Sequence, residues 1–425
     1  MWGSRVQDNS VVVIGLGYVG LPLAYEAQMS GLQVTGLDSN VDVVERLNDG
    51  SSHIDDISSK QVARFLRAGF VATTDTAVVK EAATAVICVP TPLAHSGSPD
   101  LTYVEQAAKQ VAQHLQPGHL VILESTTYPG TTEEVLVPTL EVTGLQAGVD
   151  FHVAFSPERI DPGNASFGIR NTPKVVGGVN EESTQLATNF YRKFIDEVIP
   201  ARGVREAELA KLIENTYRHV NIALMNELVQ FCHELDIDLW DAIRCAATKP
   251  FGYEAFFPGP GVGGHCIPID PNYLSHRVRT HLGQPFRFIE LAQEINDAMP
   301  TYVARRAQEL LNHDGKAVKG ADVLLLGVTY KADIADQRES PARDVARALE
   351  NMGARLSYYD PYVAQWAVNG QTHRAQQDFE KSAHASDLII LLQAHREFLE
   401  FDRWPSAVPI LDTRGALTVP SAQSL

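Results

Sequence analysis

The sequence predicts an α/β protein built from two Rossmann-like, doubly wound domains joined by a long central helix. Three observations lead there. Short β-branched runs alternate with helical stretches over the first half of the chain. Residues 205–237 then run without a Gly or Pro and carry apolar residues at helical spacing. Finally, the order strand, glycine turn, helix, strand, acid occurs at the start of the chain and again beyond residue 316.

Val11-Val12-Val13-Ile14 is an apolar run of the length expected for a strand buried on both faces. Gly15-Leu16-Gly17-Tyr18-Val19-Gly20 follows, then the helical stretch LPLAYEAQMSG and a second strand, LQVTGLD, that ends in Asp38. AVICVP (85–90), LVILES (120–125) and HVAF (152–155) are further strands. The 205–237 run is expected to form one helix of about 30 residues, roughly 45–50 Å long. A helix of that length serves as a spine or an interface between subunits. AFFPGPGVGGHCIPIDP (255–271) breaks the helical region with a Gly/Pro-rich loop. In the third section Val323–Leu326 leads into Gly327, the helix ARDVARALENMG follows, and RLSYYDP ends in Asp360. The expected domains are 1–204, 205–315 and 316–425. The last lacks the full glycine fingerprint, because Thr329 and Lys331 stand where further glycines belong, so it is not expected to hold a dinucleotide in the standard way.

Composition sets outer limits. With 425 residues, 44% hydrophobic and 20% charged, the chain is globular and long enough for about three structural units. Its 35 basic and 52 acidic residues give a net charge of −17, which repels polyphosphate at long range and argues against nucleic acid or anionic membrane as partner. Any phosphate-bearing ligand must therefore be held by local dipoles and a few placed cations. Cys88, Cys232, Cys245 and Cys266 are too scattered for a disulfide framework, and no C-x-x-C pair marks a metal site. The first ten residues, MWGSRVQDNS, carry no apolar signal core, and no run approaches 18 apolar residues. The expected compartment is the cytoplasm.

Several residues point to chemistry. Gly15-x-Gly17-x-x-Gly20 follows a buried strand and opens a helix, and an acid, Asp38, ends the next strand. That context marks a dinucleotide site. Gly15 permits the tight turn, Gly17 lets the backbone approach a pyrophosphate, and Gly20 allows close helix–strand packing. The helix N-terminus supplies positive potential, and Asp38 accepts from ribose hydroxyls while repelling a 2′-phosphate, which favours NAD. Cys266 follows Gly263-Gly264-His265, where flanking glycines admit a ligand carbon and their N–H groups stabilise a thiolate or an oxyanion. The other three cysteines read as core. Lys211 and Asn215 are spaced i, i+4 and share a helix face, which is either solvated or directed at a site. Glu158, just past HVAF, is a candidate general base, and Thr126, at the end of LVILES, a candidate to hold water; from sequence alone either is equally a turn residue.

Together, VIGLGYVGLPLA, ICVPTPL, ESTTYPGTTEEV, FSPERIDPGN, ELAKLIENTYR, PGPGVGGHCIPIDP and GVTYKADIADQRESPA resemble, in order, the motifs of the UDP-glucose/GDP-mannose dehydrogenase family over nearly the whole chain. The SPERIDPGN and PGPGVGGHCIPIDP forms are most similar to its UDP-N-acetylhexosamine branch, especially UDP-N-acetylglucosamine 6-dehydrogenases. The resemblance implies a four-electron oxidation of a sugar C6 alcohol to a carboxylate with two NAD consumed, through a thiohemiacetal and a thioester on Cys266. It assigns Lys211 and Asn215 to oxyanion and water stabilisation, Asp270 to the neighbourhood of the thiol, and Thr126 and Glu158 to water handling. It implies cofactor contacts from Gly15, Gly17, Tyr18, Val19, Gly20, Asp38, Pro90, Thr91, Thr126 and Arg338. Substrate contacts are implied for Glu158, Arg159, Lys211, Asn215, Phe257, Gly261, Gly263 and Lys331, the last from a C-terminal unit that covers the UDP moiety. It also implies a homodimer, or a higher homo-oligomer, with dimers formed through the central helix. Three positions depart from the family pattern: Pro162 replaces a second glutamate, Phe251 replaces an arginine after Lys249-Pro250, and Phe257 replaces a tyrosine. Two other readings stay open, a dehydrogenase of UDP-glucose or another UDP-hexose, and a catalytically silent regulator that binds NAD and a nucleotide sugar. The intact set Cys266, Lys211, Asn215, Asp270 and Glu158 argues against the second.

Overall fold

The structure is a computed structural model that describes residues 9–54, 56–94, 98–160, 166–264 and 267–425. Cys266, His265 and Pro162 lie outside the described residues. The chain forms two compact units, Met1–Glu214 with Asn272–Gly283, and Asn215–Pro271 with Gln284–Leu425.

In the first unit the elements run β1 (Ser10–Ile14), α1 (Gly20–Met29), β2 (Gln33–Leu37), α2 (Val41–Asn48), α3 (Ser59–Arg67), β3 (Val71–Thr73), β4 (Thr84–Ile87), α4 (Thr102–Ala112) and β5 (Leu120–Leu123). They continue with α5 (Val137–Glu141), β6 (His152–Phe155), β7 (Lys174–Gly178), α6 (Glu181–Tyr191) and β8 (Val198–Pro200). The eight strands form one sheet in the order β3-β2-β1-β4-β5-β6-β7-β8, parallel except between β6 and β7. Strand order reverses between β1 and β4, which opens a crevice at their carboxyl ends. The expected two-sided burial of β1 is explicit. Val11 and Val13 enter the core on one face of the sheet, and Val12 and Ile14 enter the core on the other. Each such side chain contributes roughly 1.5–3 kcal/mol on burial, so no solvated register competes with the parallel one.

Helix α7 (Val204–Glu234) is the expected long helix. It stops three residues short of the expected end, because Asp236 takes a left-handed conformation (φ 55°) and Asp238 caps the next helix by accepting from Asp241 N at 3.0 Å. The chain then forms α8 (Leu239–Ala247), α9 (Asp270–Leu282) and α10 (Arg287–His313). The second unit continues with β9 (Asp322–Leu326), α11 (Ala342–Asn351), β10 (Arg355–Tyr359), the hairpin β11 (Gln365–Val368) and β12 (Gln371–Arg374), and α12 (Phe379–Ala385). It ends with β13 (Leu388–Leu391), α13 (Arg396–Leu399), β14 (Ile410–Asp412) and β15 (Ala422–Ser424). Its sheet, β10-β9-β13-β14-β15, is parallel throughout, and β9 again divides its residues between two cores: Val323 and Leu325 on one face, Leu324 and Leu326 on the other.

The internal repeat reaches individual atoms. After β1, Gly15 turns at φ 90° and Leu16 N donates to Asp38 Oδ2 at 2.8 Å; after β9, Gly327 turns at φ 74° and Val328 N donates to Asp360 Oδ2 at 2.7 Å. The other oxygen of each acid accepts from the backbone two residues on, Asn40 N at 2.9 Å and Tyr362 N at 2.8 Å. The cysteines correct one expectation. Cys88 is buried and Cys232 packs against core, but Cys245 is exposed on α8, on the side away from Leu239, Trp240 and Ile243.

Candidate active site

The crevice of the first unit is shaped by its glycines. A Cβ on Gly15 would lie 2.8 Å from Cys88 O, and one on Gly20 would lie 1.9 Å from Gly15 O, so both positions are fixed by the protein's own packing. Gly17 differs: among the described residues, its chain neighbours apart, no atom lies within 4 Å of a Cβ placed there. Those residues do not require glycine at that exposed turn, whereas close approach of a phosphate group would. Tyr18 is exposed beside it, and Asp38 is half-buried, its two oxygens held by Leu16 N and Asn40 N. Past β4, Pro90 is exposed and Thr91 is buried, its carbonyl accepting from the Tyr273 hydroxyl at 2.8 Å. The residues present fit a dinucleotide laid over the start of α1.

Two of the expected polar residues meet at the end of β5. Lys211 is buried on α7, and its Nζ lies 2.5 Å from Thr126 Oγ1. One turn earlier, Glu208 accepts from Gly130 N at 2.6 Å and from Thr132 N and Oγ1 at 2.9 and 2.7 Å, which fixes the segment after Thr126. Burial pushes the Glu208 carboxyl up to about 7 despite those three donors.

Glu158, just past β6, accepts from Ile160 N at 2.7 Å through Oε1, and its Oε2 lies 3.5 Å from the Lys174 ammonium. Lys174 is also 2.9 Å from Glu124 Oε2, and the Tyr191 hydroxyl donates to Glu124 Oε1. Arg159 turns instead toward α7, forming an ion pair with Glu214 at 2.8 Å and donating to Pro173 O.

In the second unit Asn215, one turn past Lys211 on the same helix, donates to Asp270 Oδ2 at 2.5 Å. Asp270 is buried and is the first residue of α9, where a helix N-terminus favours an acid. Asn226 holds the preceding loop by accepting from Gly259 N at 2.9 Å. Packing accounts for the glycines of this loop: a Cβ on Gly263 would lie 2.8 Å from the Tyr330 Cβ and 2.7 Å from Glu339 O, and one on Gly264 (φ 92°) 2.8 Å from the Tyr330 ring. Gly261 would likewise meet Pro341 at 3.0 Å. Phe257 is exposed, as is Phe251. Arg338 is exposed and bound to Asp336 at 2.6 Å, while Lys331 is half-buried, its carbonyl accepting from Thr329 Oγ1 at 2.8 Å. The acid of this second fingerprint, Asp360, has the buried His395 imidazole 3.2 Å from its Oδ2. A protein side chain thus takes up part of the hydrogen-bonding capacity of this acid.

Three models of one family match in succession: the NAD binding domain of the UDP-glucose/GDP-mannose dehydrogenase family over residues 9–195, its central domain over 205–298 and its UDP binding domain over 324–419. The chain belongs to the UDP-glucose/GDP-mannose dehydrogenase family. A UDP-N-acetyl-D-mannosamine dehydrogenase of Pyrococcus horikoshii is 36% identical over 390 residues, 91% of this chain and 90% of that protein. A UDP-N-acetyl-D-glucosamine 6-dehydrogenase of Salmonella typhi is 35% identical over 397 residues, 92% and 91% of the two chains. Among solved structures, the UDP-D-ManNAc dehydrogenase of Pyrococcus horikoshii superposes with a TM-score of 0.89 at 34% identity, covering 97% of this chain and 98% of that one. As a UDP-glucose/GDP-mannose dehydrogenase family member, the chain is an NAD-dependent nucleotide-sugar dehydrogenase, and its cofactor is the one read from the first glycine turn. Among the described residues no helix is long and apolar enough to cross a membrane.

The structure brings Thr126 to Lys211 and Asn215 to Asp270. It adds Glu208, Glu124, Lys174 and Tyr191, which sequence reading missed. Glu124 stood inside a quoted motif, but Lys174 opens an apolar strand and carries no sign of its burial.

Proposed function

We propose that this chain oxidises the C6 alcohol of a UDP-N-acetylhexosamine to the uronic acid, with UDP-N-acetylglucosamine the first candidate substrate. The observation that carries the reading is the pair Lys211 and Asn215, one turn apart on α7, each already bonded to another polar residue of the expected site. Relatives about one-third identical and named for UDP-N-acetylhexosamines support the substrate class.

NAD, when bound, supplies the hydride acceptor for both oxidation steps. After the first, the Cys266 thiolate attacks the C6 aldehyde, forming a C–S bond and an alkoxide that takes up a proton as the thiohemiacetal. Lys211, its ammonium held by Thr126, supplies positive charge to that oxyanion, and Asn215 supplies a further donor. Loss of a proton and the second hydride leaves a thioester. Water then attacks its carbonyl, Glu158 accepting the proton, and the C–S bond breaks to return the thiol and release the acid. Asp270, fixed by Asn215 at the start of α9, orients that residue. Arg159, Phe257, Gly261, Gly263 and Lys331 belong to the sugar and UDP contacts in this reading, and Tyr18, Val19, Pro90, Thr91 and Arg338 to the cofactor contacts. The same reading has the enzyme act in the cytoplasm as a homodimer.

The test is NADH formation across a panel of UDP-N-acetylglucosamine, UDP-N-acetylmannosamine, UDP-N-acetylgalactosamine and UDP-glucose. Two NADH per sugar are expected, and the highest kcat/KM names the substrate. Cys266→Ser is expected to abolish acid formation while UDP-sugar binding persists. Normal turnover by that variant would sink the thioester route, and no turnover with any sugar would favour a binding protein.

A further inference from the structure

Lys174 opens β7 with its side chain only 7% exposed, between Glu124 at 0% and Glu158 at 11%. Burying an ammonium is expensive, and one carboxylate suffices to neutralise it. Here Glu124 already does so at 2.9 Å, with its second oxygen bonded to the Tyr191 hydroxyl. The second acceptor, Glu158 Oε2 at 3.5 Å, exceeds what neutralisation requires. Glu158 is thereby held at both oxygens, by Ile160 N and by Lys174.

We infer that Lys174 is a positioning residue: anchored on Glu124, its ammonium holds the Glu158 carboxylate in place at the carboxyl end of β6. The inference rests on the role of Glu158 in the proposed reaction. The groups that face this cluster are Glu124 at the end of β5, Tyr191 on α6, Cys88 past β4 and the neighbouring Arg159, itself committed to Glu214. Burial pushes the Glu124 carboxyl above its ordinary range against the pull of Lys174. Burial also acts to lower Lys174, but the two carboxylates outweigh it and hold the ammonium above its ordinary value. Glu158 is therefore presented with a permanent cation.

Lys174→Met alone strands Glu124 without its cation and risks the fold, so the decisive comparison is made where that carboxylate is already neutral. Glu124→Gln keeps an acceptor for Tyr191 and leaves Lys174 to Glu158 alone. Between Glu124→Gln and Glu124→Gln/Lys174→Met, the infrared carboxylate band that Glu158→Gln removes is expected to move and broaden at neutral pH, because one of its two oxygens loses its charged donor. kcat for NADH formation is expected to fall on the order of tenfold with it, while KM for NAD is unchanged. An unchanged band in the two backgrounds would mean that Lys174 only neutralises Glu124, and would overturn the inference. If the wild-type protein oxidises no UDP-sugar, the proposed function falls, and the infrared band, which needs no turnover, still decides the role of Lys174.

Discussion

At the scale of single residues, the three glycines of the first turn separate folding from binding. Gly15 and Gly20 face protein atoms that exclude a Cβ, whereas Gly17 faces none among the described residues beyond its chain neighbours. Gly20→Ala is therefore expected to cost roughly 2 kcal/mol or more in stability, because the methyl group meets the Gly15 carbonyl. Gly17→Ala is expected to melt with the wild type and to raise KM for NAD on the order of tenfold, since the added methyl group fills the space the pyrophosphate needs. Parallel thermal melts and NAD titrations check both. If Gly17→Ala lost stability and kept its KM, the turn would be structural and the pyrophosphate would bind elsewhere. The turn that carries Gly17 was legible in the sequence because the spacing of Gly15, Gly17 and Gly20 is a local pattern. The packing around Gly263 and Gly264 was not legible for the opposite reason: Tyr330, which a Cβ at either position would meet, lies far along the chain.

At the scale of elements, legibility followed the range of the interaction. β1, β9 and α7 could be read because their patterns are local: four apolar residues in a row, or a long stretch free of Gly and Pro. The end of α7 was missed because a left-handed Asp236 stopped it, which periodicity does not report. The burial of charged groups was missed as well, since Lys174 and Glu208 find their partners on other elements. His219 is the same case on α7. It is fully buried, Nδ1 lies 3.4 Å from Asn296 Nδ2, and burial lowers its pKa from 6.5 to about 4. The unfolded chain therefore binds this proton more readily than the native one, and stability rises with pH between about 4 and 6.5. The contribution is complete above about 6.5 and is lost as pH falls toward 4, amounting to about 2 kcal/mol at pH 5. In denaturant melts at pH 7 and pH 5, His219→Met should lose less stability between the two than the wild type does. Equal losses would show that the imidazole titrates alike in both states.

At the scale of the whole molecule, the charge of −17 meets two anionic ligands. Long-range repulsion and local attraction then oppose each other, and salt distinguishes them by distance. The Debye length falls from about 30 Å at 0.01 M to about 8 Å at 0.15 M ionic strength, so repulsion from the dispersed acidic surface is screened first. A helix N-terminus and a buried cation such as Lys211, 7% exposed, act within a few ångströms and are screened much less. KM for the UDP-sugar is therefore expected to fall as salt is raised from 0.01 to 0.15 M, and to climb again only at higher salt, where direct ion contacts weaken. The control is the rate of association measured by stopped flow, which should rise over the same range because steering across an acidic surface is unfavourable. A KM that climbs steadily from the lowest salt would mean that a cationic mouth outweighs the net charge. The site would then draw its ligand in by a long-range field, not by the few contacts that the sequence and the described residues provide.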